Sequence, residues 1–209
     1  MNIEKIDGDI YEFPYIIYKS DELTRNPALI VQLHGAGERG NGGVELDRVL
    51  VNGFPQLKDF SAFKDCFLVM PQCPLDTFWT ARIESLKGFI ERIVDNYNID
   101  KNRIYLTGLS MGGFGTWHMA MAYPNLFAAI APCCGGGMPW NASVLTMPVW
   151  AFHGEEDTVV SPSYTIDMID KLKEINPNVK FNLYKGVGHG CWDRAYSNDL
   201  LKWLLSNIK

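Results

Sequence analysis

One serine stands in a setting that suits attack on a carbonyl carbon. Residues 108–112 read Gly-Leu-Ser-Met-Gly, after the apolar run 104–107 and before the helical pattern 111–122. A G-x-S-x-G sequence between a strand and a helix is typical of a nucleophilic serine, because the tight turn exposes the hydroxyl and the glycines let neighbouring backbone pass closely. We therefore predict that Ser110 is a nucleophile, with an ordinary serine in a glycine-rich turn as the alternative.

A serine hydroxyl needs a base that takes its proton. The chain has four histidines, at positions 34, 118, 153 and 189. In hydrolases built on a strand–turn–helix, the acid and then the base follow the nucleophile along the chain, which leaves His153 and His189. His189 lies in the glycine-rich segment 186–190, which can reach over the sheet edge, and we predict it as the base. We expect His153 to bond to backbone and His118 to face the core.

The acid that orients the base is expected in the loop before it. Residues 153–160 contain three carboxylates, on Glu155, Glu156 and Asp157. Asp157 lies furthest along the turn and can reach back towards the base, where it would fix the tautomer and stabilise the imidazolium. The two glutamates are expected in solvent, and Asp193, four residues after the base, is an alternative acid.

Acyl transfer also needs two N–H donors aimed at the developing oxyanion. We predict the amide of Met111 as one of them, because it directly follows the nucleophile. The segment 35–40 reads Gly-Ala-Gly-Glu-Arg-Gly after an apolar run, and the amide of Ala36 is the second candidate, with Gly37 next. A phosphate-binding loop is the alternative, but the segment lacks G-x-x-x-x-G-K-[ST] and a full G-x-G-x-x-G.

Strands and helices must alternate to place these groups together. Apolar runs predict strands over 10–18, 28–34, 66–71, 103–109, 127–133, 148–153 and 180–184, and apolar spacing predicts helices over 84–97, 111–122, 164–175 and 199–208. Such alternation indicates an α/β fold with a doubly wound, mostly parallel sheet and helices on both faces. The carboxyl ends of the strands are then the expected site of function.

Six segments of the chain carry a family resemblance. They are LHGAGERG at 33–40, VMPQCP at 69–74, RIYLTGLSMGGFG at 103–115, FAAIAPCCGG at 127–136, VWAFHGEED at 149–157 and GHGCW at 188–192. Together they resemble the α/β-hydrolase superfamily, in particular the small esterases of the dienelactone hydrolase and phospholipase/carboxylesterase type. The resemblance implies an eight-stranded sheet whose first strand is antiparallel, a triad of Ser110, Asp157 and His189, and oxyanion donors on Met111 and Ala36. Dienelactone hydrolases use a cysteine nucleophile, so the serine favours an ordinary carboxylic ester.

The connection 134–147 has 14 residues, too few for a cap domain, so we predict a single domain over 1–209 with an open site. Aromatic side chains beside such a site can stack on sugars or phenolic acyl groups. The candidate substrate-binding residues are Trp79, Trp140, Trp192, Glu38 and Gly37. The tryptophans could instead prop the loops, and Glu38 could pair with Arg39 to brace its own loop.

These observations predict a serine carboxylesterase that hydrolyses small soluble esters through an acyl-enzyme. Similar small esterases release acetyl or feruloyl groups from plant carbohydrates, and such esters are candidate substrates. A thioesterase, a peptidase or a non-catalytic binding protein on the same fold are the alternatives.

Composition limits the classes of partner, the cofactors and the location that we expect. The net charge of −5 argues against nucleic acid and anionic membrane as partners. The five cysteines are odd in number and lack Cys-x-x-Cys spacing, so we expect reduced thiols, with no metal and no cofactor; Cys133 and Cys191 would lie near the pocket. Residues 1–9 are acidic where a signal peptide would be basic and then apolar, so we expect a cytoplasmic protein.

Overall fold

The computed structural model describes residues 2–7 and 13–209, and in these residues one sheet of eight strands organises the protein. The strands are β1 Asn2–Ile6, β2 Tyr15–Lys19, β3 Ala28–Leu33, β4 Cys66–Pro71, β5 Ile104–Leu109, β6 Ala129–Cys133, β7 Val149–Gly154 and β8 Val179–Tyr184. Their order across the sheet is β1-β2-β4-β3-β5-β6-β7-β8. The α-helices are α1 Ile83–Asn96, α2 Met111–Ala122, α3 Ser163–Lys173, α4 Trp192–Ala195 and α5 Asn198–Ser206. This is the predicted α/β architecture.

The strand directions correct one expectation. β2 pairs antiparallel with both β1 and β4, and the remaining pairs from β4 to β8 are parallel. The reversed strand is therefore the second one, whereas the first runs in the same direction as the rest. β1 has no counterpart among the predicted strands, because four of its five residues are exposed and leave no apolar run. The predicted strand 10–18 forms β2 at its end, and its residues 10–12 lie outside the described part of the chain.

The core lies on both faces of the sheet, as expected for doubly wound strands. On one face Leu29 and Val31 of β3 belong to a cluster that includes buried residues of α1, α2 and α3. On the other face Ile30 belongs to a cluster with Leu200 and Leu204 of α5. This alternation along β3 follows the two-residue period of a strand.

The connections at the carboxyl ends of β5, β7 and β8 carry Ser110, Asp157 and His189. The β6–β7 connection contains one 3-10 turn, Pro139–Val144, and has no room for a cap domain. None of the helices in the described residues has the length and apolar character that a membrane crossing requires.

Candidate active site

Ser110 occupies a strained turn between β5 and α2. Its φ of 54° lies in the left-handed region, where a non-glycine residue costs on the order of 1–3 kcal/mol. The turn needs glycine on both sides. A Cβ on Gly112 would lie 2.1 Å from the carbonyl oxygen of Leu33, and one on Gly108 would lie 2.3 Å from the carbonyl oxygen of Gly112. The Ser110 amide donates to the carbonyl of Cys133 at 2.9 Å, which fixes the turn against β6.

A continuous chain of hydrogen bonds joins the serine to a buried carboxylate. His189 Nε2 lies 2.8 Å from Ser110 Oγ, and His189 Nδ1 lies 2.7 Å from Asp157 Oδ2. The other carboxylate oxygen, Oδ1, accepts from the amides of Val159 and Val160, each at 2.9 Å. Because a carboxylate can only accept, Nδ1 carries the proton and Nε2 is free to accept the serine proton. The structure therefore brings together the predicted nucleophile, base and acid.

The carboxylates considered as alternatives lie in solvent. Glu155, Glu156 and Asp193 are exposed, while the Asp157 side chain is fully buried. The amides that follow Asp157 in the same turn bind it in place, and this explains why the last of the three acids in the loop is the one that turns inward.

The surroundings favour protonation of the base. Contacts with Cys134 and with the Asp157 carboxylate raise the pKa of His189 above its ordinary value, and partial burial opposes them. Such a shift favours the imidazolium, which forms when the ring takes the serine proton.

A second histidine touches the same carboxylate. His153 is fully buried, and its Nε2 lies 2.9 Å from the carbonyl of Val160 and 3.2 Å from Asp157 Oδ2. Its Nδ1 lies 2.7 Å from the hydroxyl oxygen of Thr165, which donates to the carbonyl of Gly135. The expected backbone bond of His153 is present. Its contact with the acid was not predicted, although the four-residue spacing between His153 and Asp157 was visible in the sequence.

Buried groups hold the predicted oxyanion loop. The amide of Cys73 donates to His34 Nε2 at 2.9 Å, so the ring proton lies on Nδ1 and is donated to the carbonyl of Gly35 at 2.6 Å. Burial lowers the pKa of His34 to about 4, and the ring is neutral. Ala36 and Met111 both line one cleft at the carboxyl end of the sheet, which is described below. The structure shows no acceptor for their amides among the described residues. Both amides are thus available to a ligand.

Trp79 corrects the prediction that it binds substrate. Its side chain is 0% exposed, its Nε1 donates to the carbonyl of His34 at 3.0 Å, and its ring packs 5.2 Å from that imidazole. The 3-10 turn Trp79–Ala81 directs it beneath α2, where a Cβ on Gly115 would lie 2.7 Å from the Trp79 Cβ. Trp79 packs beneath the oxyanion loop and supports it.

Trp192 does lie at the site. Its ring centroid is 5.1 Å from that of His189, at 85°, and its Nε1 donates to Asn52 Oδ1 at 3.0 Å. The Asn52 amide in turn donates to Glu38 Oε1 at 3.2 Å. Glu38 is mostly buried, which raises the pKa of its carboxyl, and among the described residues it bonds to Asn52 and forms no ion pair with Arg39. Its other oxygen, Oε2, has no hydrogen-bond partner among the described residues, and contact of Glu38 with substrate stays a prediction. Asn52, which was not predicted, joins the two loops.

The other candidate substrate-binding residues are less constrained. Trp140 is 82% exposed on the 3-10 turn Pro139–Val144, and Gly37 is exposed on the oxyanion loop with open space around it. Arg39 braces that loop by donating to the carbonyl of Ala36 at 3.0 Å. For Trp140 and Gly37, contact with substrate stays a prediction.

An apolar cleft of about 390 Å³ opens beside the serine. Its lining residues are Ala36, Phe78, Thr80, Met111, Phe114 and His118. His118 is half-buried there, and burial lowers its pKa, so the expectation that it faces the core is wrong. Phe114 and His118 follow Ser110 by four and eight residues, which places them on the face of α2 that continues from the nucleophile. That spacing was the signal that sequence reasoning missed.

The donor set Cys134, His153 and Asp157 is close enough to hold a cation. However, both nitrogens of His153 and both oxygens of Asp157 already have hydrogen-bond partners. This set suits a hydrogen-bonded acid better than a metal ion.

Known proteins resemble this chain in sequence. The profile of the phospholipase/carboxylesterase family matches residues 76–204. A bifunctional acetylxylan esterase/xylanase of Neocallimastix patriciarum is 40% identical over 88 residues, or 41% of this chain and 12% of the relative. Acetylxylan esterase A of Emericella nidulans is 32% identical over 120 residues, or 55% of this chain and 40% of the relative. The chain thus spans less than half the length of these two relatives.

Two further similarities extend over more of the chain. Acyl-protein thioesterase 1 of Cryptococcus neoformans is 25% identical in an alignment 225 positions long, which covers 87% of this chain and 93% of the relative. The crystal structure of a thermostable esterase superposes with a TM-score of 0.83 at 31% identity, over all of this chain and 63% of the other. Fold, site geometry and family profile agree, and the chain belongs to the phospholipase/carboxylesterase family.

Proposed function

We propose that this chain is a serine carboxylesterase that works through an acyl-enzyme. The observation that carries the proposal is the hydrogen-bonded chain from Asp157 through His189 to Ser110, at a strained turn beside two available amides. All three groups lie on connections of one sheet, which supports a single catalytic domain over residues 1–209. The acid is buried, and the serine directly precedes Met111, which lines the cleft; this is the arrangement that nucleophilic catalysis needs.

The geometry assigns each group a step. His189 Nε2 takes the proton of Ser110 as Oγ attacks the ester carbonyl carbon, and Asp157 holds the ring and stabilises the imidazolium. The amides of Ala36 and Met111 donate to the oxyanion. The imidazolium then gives its proton to the leaving alcohol oxygen, which leaves an acyl-serine. Water, deprotonated by the same nitrogen, then attacks that acyl carbon. The bond to Ser110 Oγ breaks, the imidazolium returns its proton to Oγ, and the carboxylic acid leaves.

The cleft supports an apolar or aromatic acyl group on a small-molecule ester. Phe78 and Phe114 line it, and Trp192 stands on the side of the base. Relatives named as acetylxylan esterases and as feruloyl esterase B suggest acetyl or feruloyl esters of carbohydrates as substrates. The Trp140 face is a candidate for the sugar, and the cytoplasm is our proposal for the location.

The test is the Ser110→Ala variant assayed with p-nitrophenyl acetate and methyl ferulate. We expect kcat to fall by a factor on the order of 10⁶, because nucleophile and base act as a unit. Ser143→Ala, at an exposed serine, is the matched control and should keep full activity. A fluorophosphonate probe should label wild-type protein and Ser143→Ala, but not Ser110→Ala. Activity retained in Ser110→Ala would refute the proposal.

A thioesterase is the second candidate, because the acyl-protein thioesterase relative aligns over 93% of its own length. The same acyl-enzyme would serve, since only the leaving group differs. Values of kcat/KM on an ester, a thioester and an amide with one acyl group separate the candidates. A higher kcat/KM on the thioester, after correction for its uncatalysed reactivity, would favour the second.

A further inference from the structure

Three buried thiols lie together beneath the loop that carries the base. The Sγ atoms of Cys134 and Cys191 are 2.8 Å apart, those of Cys133 and Cys191 are 3.4 Å apart, and those of Cys133 and Cys134 are 3.9 Å apart. All three side chains are at most 1% exposed. The proposed reaction uses none of them.

The cluster connects two structural elements of the site. Cys133 ends β6, and Cys134 follows it with φ at 49°, a left-handed conformation that is uncommon outside glycine. Cys191 lies two residues beyond His189 and directly precedes α4. Cys134 Sγ also lies 3.4 Å from the carbonyl oxygen of His189. A bond between Cys134 and Cys191 would therefore tie the base-bearing loop to the end of a central strand.

The separations distinguish between a metal site and a disulfide. Thiolates that share one tetrahedral zinc ion at about 2.3 Å stand roughly 3.8 Å apart. The separation of 2.8 Å between Cys134 and Cys191 is too short for that and is within about 0.8 Å of a disulfide bond length. The third thiol lies further from both partners, so the geometry selects one pair out of three.

We propose that Cys134 and Cys191 are an oxidisable pair, a modification site at which a small peroxide or disulfide oxidant forms a covalent tether on the loop of His189. With hydrogen peroxide, one thiolate attacks the peroxide oxygen and gives a sulfenic acid and hydroxide. The second thiolate then displaces hydroxide from that sulfur. In total two thiols lose two protons and two electrons, and one peroxide becomes two waters.

The surroundings indicate which thiol reacts first. Hydrogen bonds from the thiols of Cys133 and Cys191 lower the pKa of Cys134. For Cys191 the hydrogen bond with Cys133 lowers the pKa, but the hydrogen bond with Cys134 and burial outweigh it, and the pKa of Cys191 is raised. The thiolate is the reactive form, so Cys134 attacks and Cys191 resolves. Gly188 and Gly190 on the covering loop are exposed, and local opening of that loop gives a small oxidant access.

The tether would restrict the loop without removing the base. Closing the pair shortens the sulfur separation by less than 1 Å, and it closes a loop of 57 residues in the unfolded chain. We expect the oxidised protein to have a Tm about 5–15 °C higher than the reduced protein. The site should also keep its activity longer on heating.

The experiment treats the whole folded protein with hydrogen peroxide, blocks free thiols and maps tryptic peptides by mass spectrometry without reduction. Cys191 and Cys134 fall in different tryptic peptides, and Cys133→Ser protein removes ambiguity at the neighbouring position. In wild-type protein and in Cys133→Ser we expect a Cys134–Cys191 link and a rise in Tm of about 5–15 °C. Dithiothreitol should reverse both. Cys134→Ser and Cys191→Ser should show no link and no rise, and Cys66 and Cys73 should stay free.

Several results would overturn the proposal. These are a link from Cys133 to Cys191 in wild-type protein, five free thiols under conditions that oxidise the unfolded chain, or a metal ion that co-purifies on the three thiols and is lost in Cys134→Ser. The mass and Tm readouts do not depend on ester hydrolysis, so they separate this proposal from the proposed function.

Discussion

The two loops on either side of the nucleophile are held in different ways. The oxyanion loop, residues 34–40, is held through His34, whose ring accepts from the amide of Cys73 and whose carbonyl accepts from the buried Trp79 indole. The base loop, residues 186–192, has exposed glycines and is held by the contacts of His189 with the triad, by the thiols below, and by single hydrogen bonds of Val187 and Trp192 to neighbouring loops. One loop is positioned by buried scaffold groups, and the other mainly by the catalytic groups themselves.

This difference has a functional consequence. Donors that stabilise a developing charge gain most from being fixed in advance, because reorganisation during the reaction is costly. The base must take a proton and then give it to the leaving group, and it needs only a stable ring orientation. We therefore expect changes under the oxyanion loop to lower stability, and changes on the acid side to lower the rate.

The largest expected effect is the loss of the acid. In Asp157→Asn the side chain can still accept from Val159 and Val160, but it no longer fixes the tautomer of His189. By analogy with other triads, kcat should fall by about 10⁴ with little change in Tm. Steady-state kinetics and thermal unfolding measure the two effects. The neighbouring exposed Glu156→Gln is the control and should stay within twofold.

The pH dependence sharpens the same test. The base must be neutral, and contacts with Cys134 and Asp157 raise the pKa of His189, so kcat/KM should fall as pH drops through a value above 6.5. Removing the carboxylate removes one cause of the shift, and the acid limb of Asp157→Asn should move to lower pH. An unchanged limb, or a loss of kcat below tenfold, would point to a different acid.

The next effect concerns Trp79, which packs beneath the oxyanion loop and supports it. Trp79→Ala removes a fully buried side chain, and the free energy of unfolding should fall by about 3–5 kcal/mol. Trp79→Phe keeps most of the ring but removes the donor to the carbonyl of His34, and should cost less. Urea denaturation measures both. Trp192→Ala, on the other loop, should cost less stability than Trp79→Ala, and the reverse order would contradict the comparison.

Sequence reasoning succeeded where local chemistry determines the position. The turn around Ser110 needs glycines at fixed spacing, and the order of acid and base follows from the topology, so these groups were predictable. It failed for Trp79 because the strand–helix pattern does not tell which way a loop side chain points. It also failed for Asn52, which lies 140 residues from Trp192 in the chain and has no local signal. Such contacts depend on tertiary packing.

The smallest effect tests the link between the two loops. Asn52 accepts from Trp192 Nε1 and donates to Glu38 Oε1, so it is the residue through which the base side and the oxyanion side touch. Asn52→Ala should lower the free energy of unfolding by about 1 kcal/mol, because partly buried partners lose one hydrogen bond each. A reduction of kcat/KM by about threefold to tenfold should accompany it.

A double-mutant cycle with Trp192→Phe isolates the bond itself, since phenylalanine keeps the ring beside His189 but lacks the donor. If the bond couples the loops, the two changes together should cost about 0.5–1 kcal/mol less than the sum of the single changes. The coupling should also appear in kcat/KM, because Trp192 stacks edge-on against the base. Strict additivity would mean that the loops act independently, and that packing and the triad each position their own side of the site without the bridge.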